Sequence, residues 1–303
     1  MIITSPIEGV HPESVGEHRF VDAIGMRFHY VEKGEGEPVL FLHGFPENWF
    51  SWHRQMDALA KYYRVIALDL RGYGQSQVTK DGYDANTFAS DLYGILDALG
   101  IKQVSLVGHD WGALLMWRFV FAHPERCRRV ASLNTPHLLA FEHIINMSDA
   151  KIARRLWQKP QFAYVPFMRA RGLAEAVLNA RPRDFLINCF RLVASGRRLP
   201  LSSGELHYYH MLYSRPNSWH GPLAYYRSAP LSGRQSAGDK NRKLQMPVLF
   251  LMGQDDPLLP PKLVDPMRPM LGDLTVHQIG KAGHWPHLEQ PDEVSRALSG
   301  FFR

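Results

Sequence analysis

The sequence predicts an α/β fold, built on a mostly parallel, doubly wound sheet with a helical segment inserted into it. Short apolar runs alternate with helical patterns through the first 136 residues, and strand character returns at 247–252 and 275–279. Residues 137–240 lie between these parts and carry amphipathic stretches but no clear apolar strand. Strands that alternate with helices favour a parallel sheet with helices on its faces.

The predicted strands are short and apolar. Residues 19–33 form two of them, joined by a turn at Ile24-Gly25-Met26. Four more end in glycine, proline or a polar turn, namely Pro38–Leu42, Arg64–Leu68, 104–107 and 129–133. Their near-continuous Val, Ile and Leu content is typical of strands that are buried on both faces.

Helical patterns separate the strands. One pattern closes at 57–61, and others span 87–99, 112–122 and, near the C-terminus, Pro291–Phe302. We therefore expect a core domain of residues 1–136 and 241–303, with a helical cap (lid) of residues 137–240 inserted in it. Insertions of this kind are often lids over active sites.

Composition and charge argue against several classes of function. The chain has 303 residues and a formal net charge of +6, but its basic residues are dispersed, which argues against a nucleic-acid surface. No apolar run approaches the roughly 20 residues of a membrane span, and the N-terminus lacks the pattern of a signal peptide. Cys127 and Cys189 form no disulfide framework, so we expect reduced thiols and a cytoplasmic protein.

A glycine-flanked turn is the strongest chemical signal. Gly108-His109-Asp110-Trp111-Gly112 has the nucleophile-elbow pattern, with aspartate in the place that serine usually holds. The two glycines permit a sharp turn from strand to helix, and the helix N-terminus behind it favours negative charge. We therefore predict that Asp110 is a nucleophile. The alternative is an aspartate that only caps a helix.

The loop after the strand Pro38–Leu42 is the predicted oxyanion hole. His43-Gly44-Phe45 ends that strand, where a backbone N–H can face a developing oxyanion. We assign this role to the amides of Phe45 and Trp111. His43 precedes the turn of the loop, and we expect it to be structural.

The acid and the base of a catalytic triad are predicted at the ends of the last two strands. Asp256 lies three residues past Gly253, the usual offset for the acid that orients a histidine, and Asp255 is the alternative. His284 lies in a short loop after the final strand and is the predicted general base, with His287 a weaker candidate. The order nucleophile, acid, histidine fits a hydrolase with an elbow.

Four motifs carry a family resemblance. They are His-Gly-Phe-Pro-Glu at 43–47, Gly-His-Asp-Trp-Gly at 108–112, Asn-Thr-Pro at 134–136 and Gly-His-Trp at 283–285. With them, the chain resembles the epoxide hydrolase branch of the α/β-hydrolase superfamily over nearly its whole length. The resemblance implies the α/β-hydrolase fold. It also implies conversion of an epoxide to a vicinal diol through an ester on Asp110, which water activated by His284 then hydrolyses.

The resemblance implies further site residues and partners. Epoxide hydrolases hold the epoxide oxygen with two cap tyrosines, which the motifs at 221–227 and 172–175 place at Tyr226 and Tyr164. Substrate contacts fall on Trp111, Pro46, Trp157 and Trp285. The expected partners are a small apolar epoxide and water, without a metal, cofactor, nucleic acid or membrane, and a homodimer is compatible with the family.

Two other functions stay open from the sequence. A haloalkane or haloacetate dehalogenase would share the triad and the ester, but it needs donors to a halide rather than acids to an alkoxide. Phe45 offers no side-chain donor, and Trp111 stands where haloacetate dehalogenases typically carry arginine. A non-catalytic receptor built on this fold is expected to lack a member of the triad, and all three candidates are present.

Overall fold

A single mixed sheet forms the centre of the computed structural model, which describes residues 10–137, 164–228, 242–259 and 261–303. Within these ranges the strands are β1 (Glu17–Ala23), β2 (Met26–Lys33), β3 (Pro38–Leu42), β4 (Arg64–Leu68), β5 (Val104–His109), β6 (Cys127–Leu133), β7 (Leu244–Gly253) and β8 (Leu271–Ile279). The predicted α/β fold is confirmed. The predicted apolar runs coincide with strands, although β7 and β8 begin earlier than their apolar patterns indicated.

The sheet is parallel except at one edge. Its strand order is β1-β2-β4-β3-β5-β6-β7-β8, and neighbouring strands from β4 to β8 are parallel. β1 and β2 form an antiparallel hairpin through Ile24 and Gly25, both at positive φ, and β2 is antiparallel to β4. The antiparallel edge follows from this tight turn, because a parallel neighbour would need a long crossover connection.

Helices cover both faces of the sheet. Those of the described residues are α1 (His53–Leu59), α2 (Ala85–Ala98), α3 (Asp110–Ala122), α4 (Tyr164–Arg169), α5 (Leu173–Ala180), α6 (Pro182–Val193), α7 (Ser203–Tyr213), α8 (His220–Ser228), α9 (Pro286–Glu289) and α10 (Pro291–Phe302). Alternate strand residues point to opposite faces. Leu40 and Ile66 belong to the cluster with α2 and α3, whereas Val39 and Val65 belong to the cluster with α1 and α10.

The helices α4 to α8 lie between β6 and β7 in the chain and carry a third apolar cluster. The backbone of α8 rests directly on the core turn that follows β4. A Cβ on Gly221 would lie 2.5 Å from the Gly72 carbonyl oxygen, and the Tyr225 hydroxyl donates to the Arg71 carbonyl oxygen at 3.2 Å. The inserted helices are therefore in close contact with the core at the carboxyl end of β4.

Two further findings concern the chain as a whole. Cys127 and Cys189 are free thiols, and burial raises the pKa of each. Across the described ranges, no helix combines the length and the apolar character that crossing a membrane would require.

Candidate active site

Asp110 lies at the turn between β5 and α3 in a backbone conformation that the flanking glycines permit. Its φ of +47° falls in the left-handed region, which costs a residue other than glycine about 1–3 kcal/mol. A Cβ on Gly108 would lie 2.7 Å from Ala113 Cα, and a Cβ on Gly112 would lie 2.4 Å from the Leu42 carbonyl oxygen. Neither position has room for a side chain, which explains the pattern of glycines in the elbow.

The loop after β3 meets the carboxylate of Asp110. The amide of Phe45 donates to Asp110 Oδ1 at 2.8 Å. Gly44 leaves room for this approach, because a Cβ there would lie 2.4 Å from Asp110 Cβ. Trp111, the predicted second amide, lies in the first turn of α3. His43 is buried, and its Nε2 accepts a backbone N–H at 3.1 Å, which fits a structural role.

His284 and Asp256 lie next to Asp110. His284 Nδ1 is 2.9 Å from Asp256 Oδ2, and His284 Nε2 is 3.5 Å from Asp110 Oδ2. The other oxygen of Asp256 accepts two backbone N–H groups, at 2.8 and 3.2 Å. Asp255 instead accepts from the Ser195 hydroxyl at 2.6 Å. The geometry therefore pairs the histidine with Asp256 and not with its neighbour.

The charges of these three side chains are coupled. Burial lowers the pKa of His284, but the carboxylates of Asp256 and Asp110 outweigh burial and raise the pKa to about 10. Burial raises the pKa of Asp110, but the hydrogen bond and charge of His284 outweigh it and keep the pKa below its usual value. At neutral pH His284 is thus a cation. The side chain of Asp110 is 22% exposed and that of Asp256 0%, so only Asp110 can meet a ligand.

Tyr164 and Tyr226 lie on the inserted helices α4 and α8. The Tyr226 ring packs between Phe45 and Trp111, with ring centroids 5.1 and 5.0 Å away, and the Tyr164 ring is 6.0 Å from it. Burial and the charge of Asp110 raise the pKa of Tyr164, and burial, Tyr164 and Asp110 raise the pKa of Tyr226. Both hydroxyls are therefore protonated at neutral pH and lie within the electric field of the carboxylate.

Ion pairing holds the helices that carry these tyrosines. Arg227 follows Tyr226 in α8 and pairs with Glu175 of α5 at 2.6 Å. Arg169, at the end of the helix that begins with Tyr164, donates to the Tyr226 carbonyl oxygen at 3.2 Å. The two sequence motifs that located the tyrosines are thus bound to each other, which gives a physical reason for their occurrence together.

The four predicted substrate contacts have different positions. Trp111 and Pro46 lie in the two backbone segments beside Asp110. Trp285 is 1% exposed and its indole N–H donates to a carbonyl oxygen of α6 at 3.0 Å, so its ring packs next to His284 and not at an accessible surface. Trp157 lies outside the described residues.

A second group of carboxylate and histidine side chains is buried beside the elbow. Glu47 Oε2 lies 2.7 Å from His109 Nδ1, Glu47 Oε1 lies 2.7 Å from His287 Nε2, and all three residues are 0% exposed. His109 Nε2 lies 2.7 Å from the His284 carbonyl oxygen. His109 Nδ1 and Nε2 thus each lie within hydrogen-bond distance of an acceptor, a carboxylate oxygen and a carbonyl oxygen. Burial raises the pKa of Glu47, but the two histidines outweigh it and hold the pKa well below its usual range.

Among the described residues, Glu47, His109 and His287 are also the group that could hold a metal ion, since their potential ligand atoms lie within 4.8 Å of one another. Their N···O distances of 2.7 Å are hydrogen-bond distances, however. Two tetrahedral ligand atoms at metal bonds of about 2.0–2.2 Å would lie further apart than this. The residues therefore fit a network of shared protons better than a metal centre.

Sequence reasoning assigned no role to Glu47, His109 or Asn134, although each stands in a quoted motif. Glu47 and His287 are 240 positions apart, so no local spacing joins them. One feature of the sequence could have indicated this buried group, namely His109, the ionisable residue directly before the predicted nucleophile. A histidine at the end of a fully buried strand needs polar partners, which predicts a buried carboxylate nearby.

The chain is similar to known proteins over most of its length. Residues 37–291 match the model of the alpha/beta hydrolase fold family. Epoxide hydrolase A of Mycobacterium tuberculosis is 33% identical over 315 residues, which cover 93% of this chain and 96% of that protein. Bifunctional epoxide hydrolase 2 of Sus scrofa is 31% identical over 299 residues, which cover 90% of this chain and 53% of that protein. The chain spans about half the length of the latter relative.

Solved structures show the same likeness. The crystal structure of Epoxide Hydrolase A from Mycobacterium thermoresistibile superposes with a TM-score of 0.81 at 28% identity, covering 94% of this chain and 97% of that one. The crystal structure of an epoxide hydrolase from Vigna radiata superposes with a TM-score of 0.79 at 29% identity, with the same coverage of 94% and 97%. The likeness extends over nearly the full length of both proteins.

Proposed function

The chain belongs to the α/β-hydrolase fold family and, within it, to the epoxide hydrolases, and on this basis we propose that it converts an epoxide to a vicinal diol. The observation that supports the proposal is the arrangement of groups around the carboxylate of Asp110. One of its oxygens accepts the Phe45 amide, the other faces His284, and two buried tyrosines lie in its field. In this proposal α4 to α8 form the cap over the site.

Asp110 performs the first step. Because Oδ1 is held by the amide of Phe45, Oδ2 is the oxygen that attacks. Oδ2 forms a bond to one epoxide carbon while the bond from that carbon to the epoxide oxygen breaks, and the oxygen takes the electron pair. A carboxylate suits displacement at a saturated carbon, since it is ionised at neutral pH without the help of a base.

Tyr164 and Tyr226 supply the acid for the leaving oxygen. An alkoxide is a poor leaving group unless it is protonated as the bond breaks, and a neutral phenol can provide that proton. Both tyrosine pKa values are raised by burial and by the charge of Asp110, so both hydroxyls carry a proton when substrate arrives. This acid distinguishes the proposal from dehalogenation, in which a halide leaves as a stable anion.

His284 changes its role between the two steps. Ester formation removes the charge of Asp110, so only Asp256 still favours the cation and the pKa of His284 falls. The released proton restores the tyrosine that donated to the epoxide. Neutral His284 then takes a proton from water as it attacks the ester carbonyl, and the amides of Phe45 and Trp111 hold the oxyanion. As the intermediate collapses, the bond from the former ester carbonyl carbon to the substrate oxygen breaks and that oxygen takes the proton left on the added hydroxyl, which releases the diol and regenerates the carboxylate beside protonated His284.

Isotope transfer tests the covalent step. With enzyme in excess over a styrene-type epoxide in oxygen-18 water, we expect the first diol to carry no label, because its new oxygen comes from Asp110. The label should appear on Asp110 afterwards, and mass spectrometry of the diol and of the peptide measures both. Asp110→Ala should release no diol while keeping its fold. A fully labelled diol in the first turnover would mean that water attacks the epoxide directly.

Replacement of the tyrosines tests the acid. Tyr164→Phe or Tyr226→Phe alone should slow alkylation by on the order of 10²-fold or less, because the other hydroxyl still donates. The double variant should be slower than the product of the single effects, since no proton donor then remains. Stopped-flow measurement of ester formation gives these rates. A double variant that opens epoxides at the wild-type rate, and that releases halide from haloalkanes, would favour the dehalogenase alternative.

A further inference from the structure

Asn134 follows β6, which lies in the sheet between the strand of the nucleophile and the strand of the acid. Its Oδ1 accepts the Gly253 amide at 2.7 Å, and its Nδ2 donates to the carbonyl oxygens of Gly283 and His284 at 3.0 and 3.1 Å. The residue is 1% exposed. One side-chain amide thus bridges the loop after β7, which carries Asp256, and the loop after β8, which carries His284.

Two independent demands favour asparagine here. The φ of Asn134 is +58°, in the left-handed region that asparagine adopts more readily than most residues with a side chain. Its three partners are one backbone N–H and two carbonyl oxygens, so the side chain has to accept and donate at once. A carboxamide does both, whereas an aspartate would turn a carboxylate oxygen towards two carbonyl oxygens. The partners also fix the orientation of the amide.

We propose that Asn134 is a positioning residue for ester hydrolysis, because it sets the separation between Asp256 and His284. The inference rests on the proposed function and extends it to a side chain that meets neither substrate nor reacting atoms. The 2.9 Å contact of His284 Nδ1 with Asp256 Oδ2 spans the two loops that the amide joins. Any widening between the loops lengthens this contact directly.

Other contacts also hold the two loops together, which limits the expected effect, and one of them is the hydrogen bond from the Asp255 amide to the Ala282 carbonyl oxygen at 2.9 Å. The His284 carbonyl oxygen also accepts from His109 Nε2 at 2.7 Å. The loops touch as well, since a Cβ on Gly253 would lie 2.0 Å from the Gly283 carbonyl oxygen. Loss of the amide therefore loosens the pair without separating the loops completely. We expect a shift in function rather than loss of the fold.

Asn134→Gly removes the amide while glycine tolerates the left-handed backbone. Asn217→Gly is the matched control, because Asn217 has a φ of +61° but lies exposed in a turn before α8. In Asn134→Gly the pKa of His284 should fall from about 10 by roughly one unit or more, because the Asp256 carboxylate favours the cation less at a longer distance. NMR titration of the imidazole measures this without substrate. Asn217→Gly should leave it unchanged.

Pre-steady-state kinetics with an epoxide provides the second measurement. Hydrolysis of the ester should slow by on the order of 10- to 10²-fold, as expected for misplacement of a catalytic group. Alkylation should change less than twofold, since Asn134 contacts neither Asp110 nor the tyrosines. Asn134→Ala should repeat both results with added backbone strain. A His284 pKa and a hydrolysis rate equal to those of Asn217→Gly would overturn the proposal. If the wild type opens no epoxide, the proposed function fails while the titration still tests Asn134.

Discussion

Two groups of carboxylates and histidines lie side by side in this protein and differ in access and in charge. The open group consists of Asp110, His284 and Asp256, and the sealed group consists of Glu47, His109 and His287. The imidazole rings of His109 and His284 have centroids 5.0 Å apart. The open group reaches accessible space through one carboxylate, whereas every member of the sealed group is 0% exposed.

Comparison of the two groups shows that the number of neighbouring carboxylates affects the pKa of a histidine more than the distance to the nearest carboxylate does. His284 and His287 each have a carboxylate oxygen within 2.9 Å, yet their pKa values move in opposite directions. Burial lowers both values. His284 faces two carboxylates, which raise its pKa to about 10, whereas His287 shares the single carboxylate of Glu47 with His109, and burial lowers its pKa to about 4. In the proposed mechanism the extra carboxylate, Asp110, is the one that reacts, so of the two groups the open one would change its proton affinity during a cycle.

Matched substitutions in the two groups should have the most unequal effects. His284→Gln should slow hydrolysis of the ester by on the order of 10²–10⁴-fold, because no base then activates water. The ester should accumulate as a mass increase of one substrate. His287→Gln keeps an N–H donor for Glu47 and meets no substrate, so its turnover should stay within about tenfold of the wild type. Intact-mass spectrometry and steady-state diol formation measure both variants.

The opposite outcome would break the comparison. If His287→Gln also traps the ester while His284→Gln turns over, the sealed group contains the base. Loss of turnover by His284→Gln without any gain in mass would place this histidine in the alkylation step instead.

A smaller effect tests whether the number of neighbouring carboxylates determines the pKa of His284. Asp110→Asn removes one of the two carboxylates near His284, so the pKa of His284 should fall from about 10 by roughly one unit or more. NMR titration of the ring measures the shift. Asp255→Asn is the control, because Asp255 binds Ser195 and not the histidine, and it should leave the pKa unchanged.

The same shift affects stability against pH. Because the folded pKa of His284 lies above its ordinary 6.5, its contribution is complete below about 6.5 and is lost as the pH rises through about 10. In Asp110→Asn this loss should still begin near pH 6.5, which the unfolded chain determines, but it should end at a lower pH and be smaller in total. An unchanged His284 pKa in Asp110→Asn would show that Asp256 alone determines the protonation.

The core of the fold could be predicted from the sequence because its signals are local. Strands such as Arg64–Leu68 are buried on both faces and read as continuous apolar runs, and the glycines at 108 and 112 mark a turn that has no room for a Cβ. The N-terminal parts of β7 and β8 were missed, since each has one buried residue, Leu244 or Leu271, followed by residues that are exposed or partly exposed. Such segments show neither the continuous apolar run nor the strict alternation by which a strand is predicted.

Part of the arrangement of the candidate site could be predicted from the sequence for the same reason. Asp110 and His284 stand in short glycine-flanked turns, and Asp256 could be ranked above Asp255 by its offset from Gly253. The pairing of Glu47 with His109 and His287, and that of Asn134 with Gly253 and Gly283, could not be found, because these hydrogen bonds join positions 62 to 240 residues apart. Such contacts depend on which strands become neighbours in the sheet, and no single segment of the sequence determines the strand order.

The contact between Gly72 and Gly221 has a consequence for protein engineering. The first glycine belongs to the core and the second to the inserted helices, and a Cβ on Gly221 would lie 2.6 Å from Gly72 Cα. Consider a chimera whose core comes from one parent and whose inserted helices come from another. Its α8 keeps the close contact with the core only if both positions stay glycine. Tyr226 lies further along that helix, so we expect a mismatch at this contact to move the proposed acid away from Asp110. The two glycines should therefore be inherited as a pair in any shuffled library.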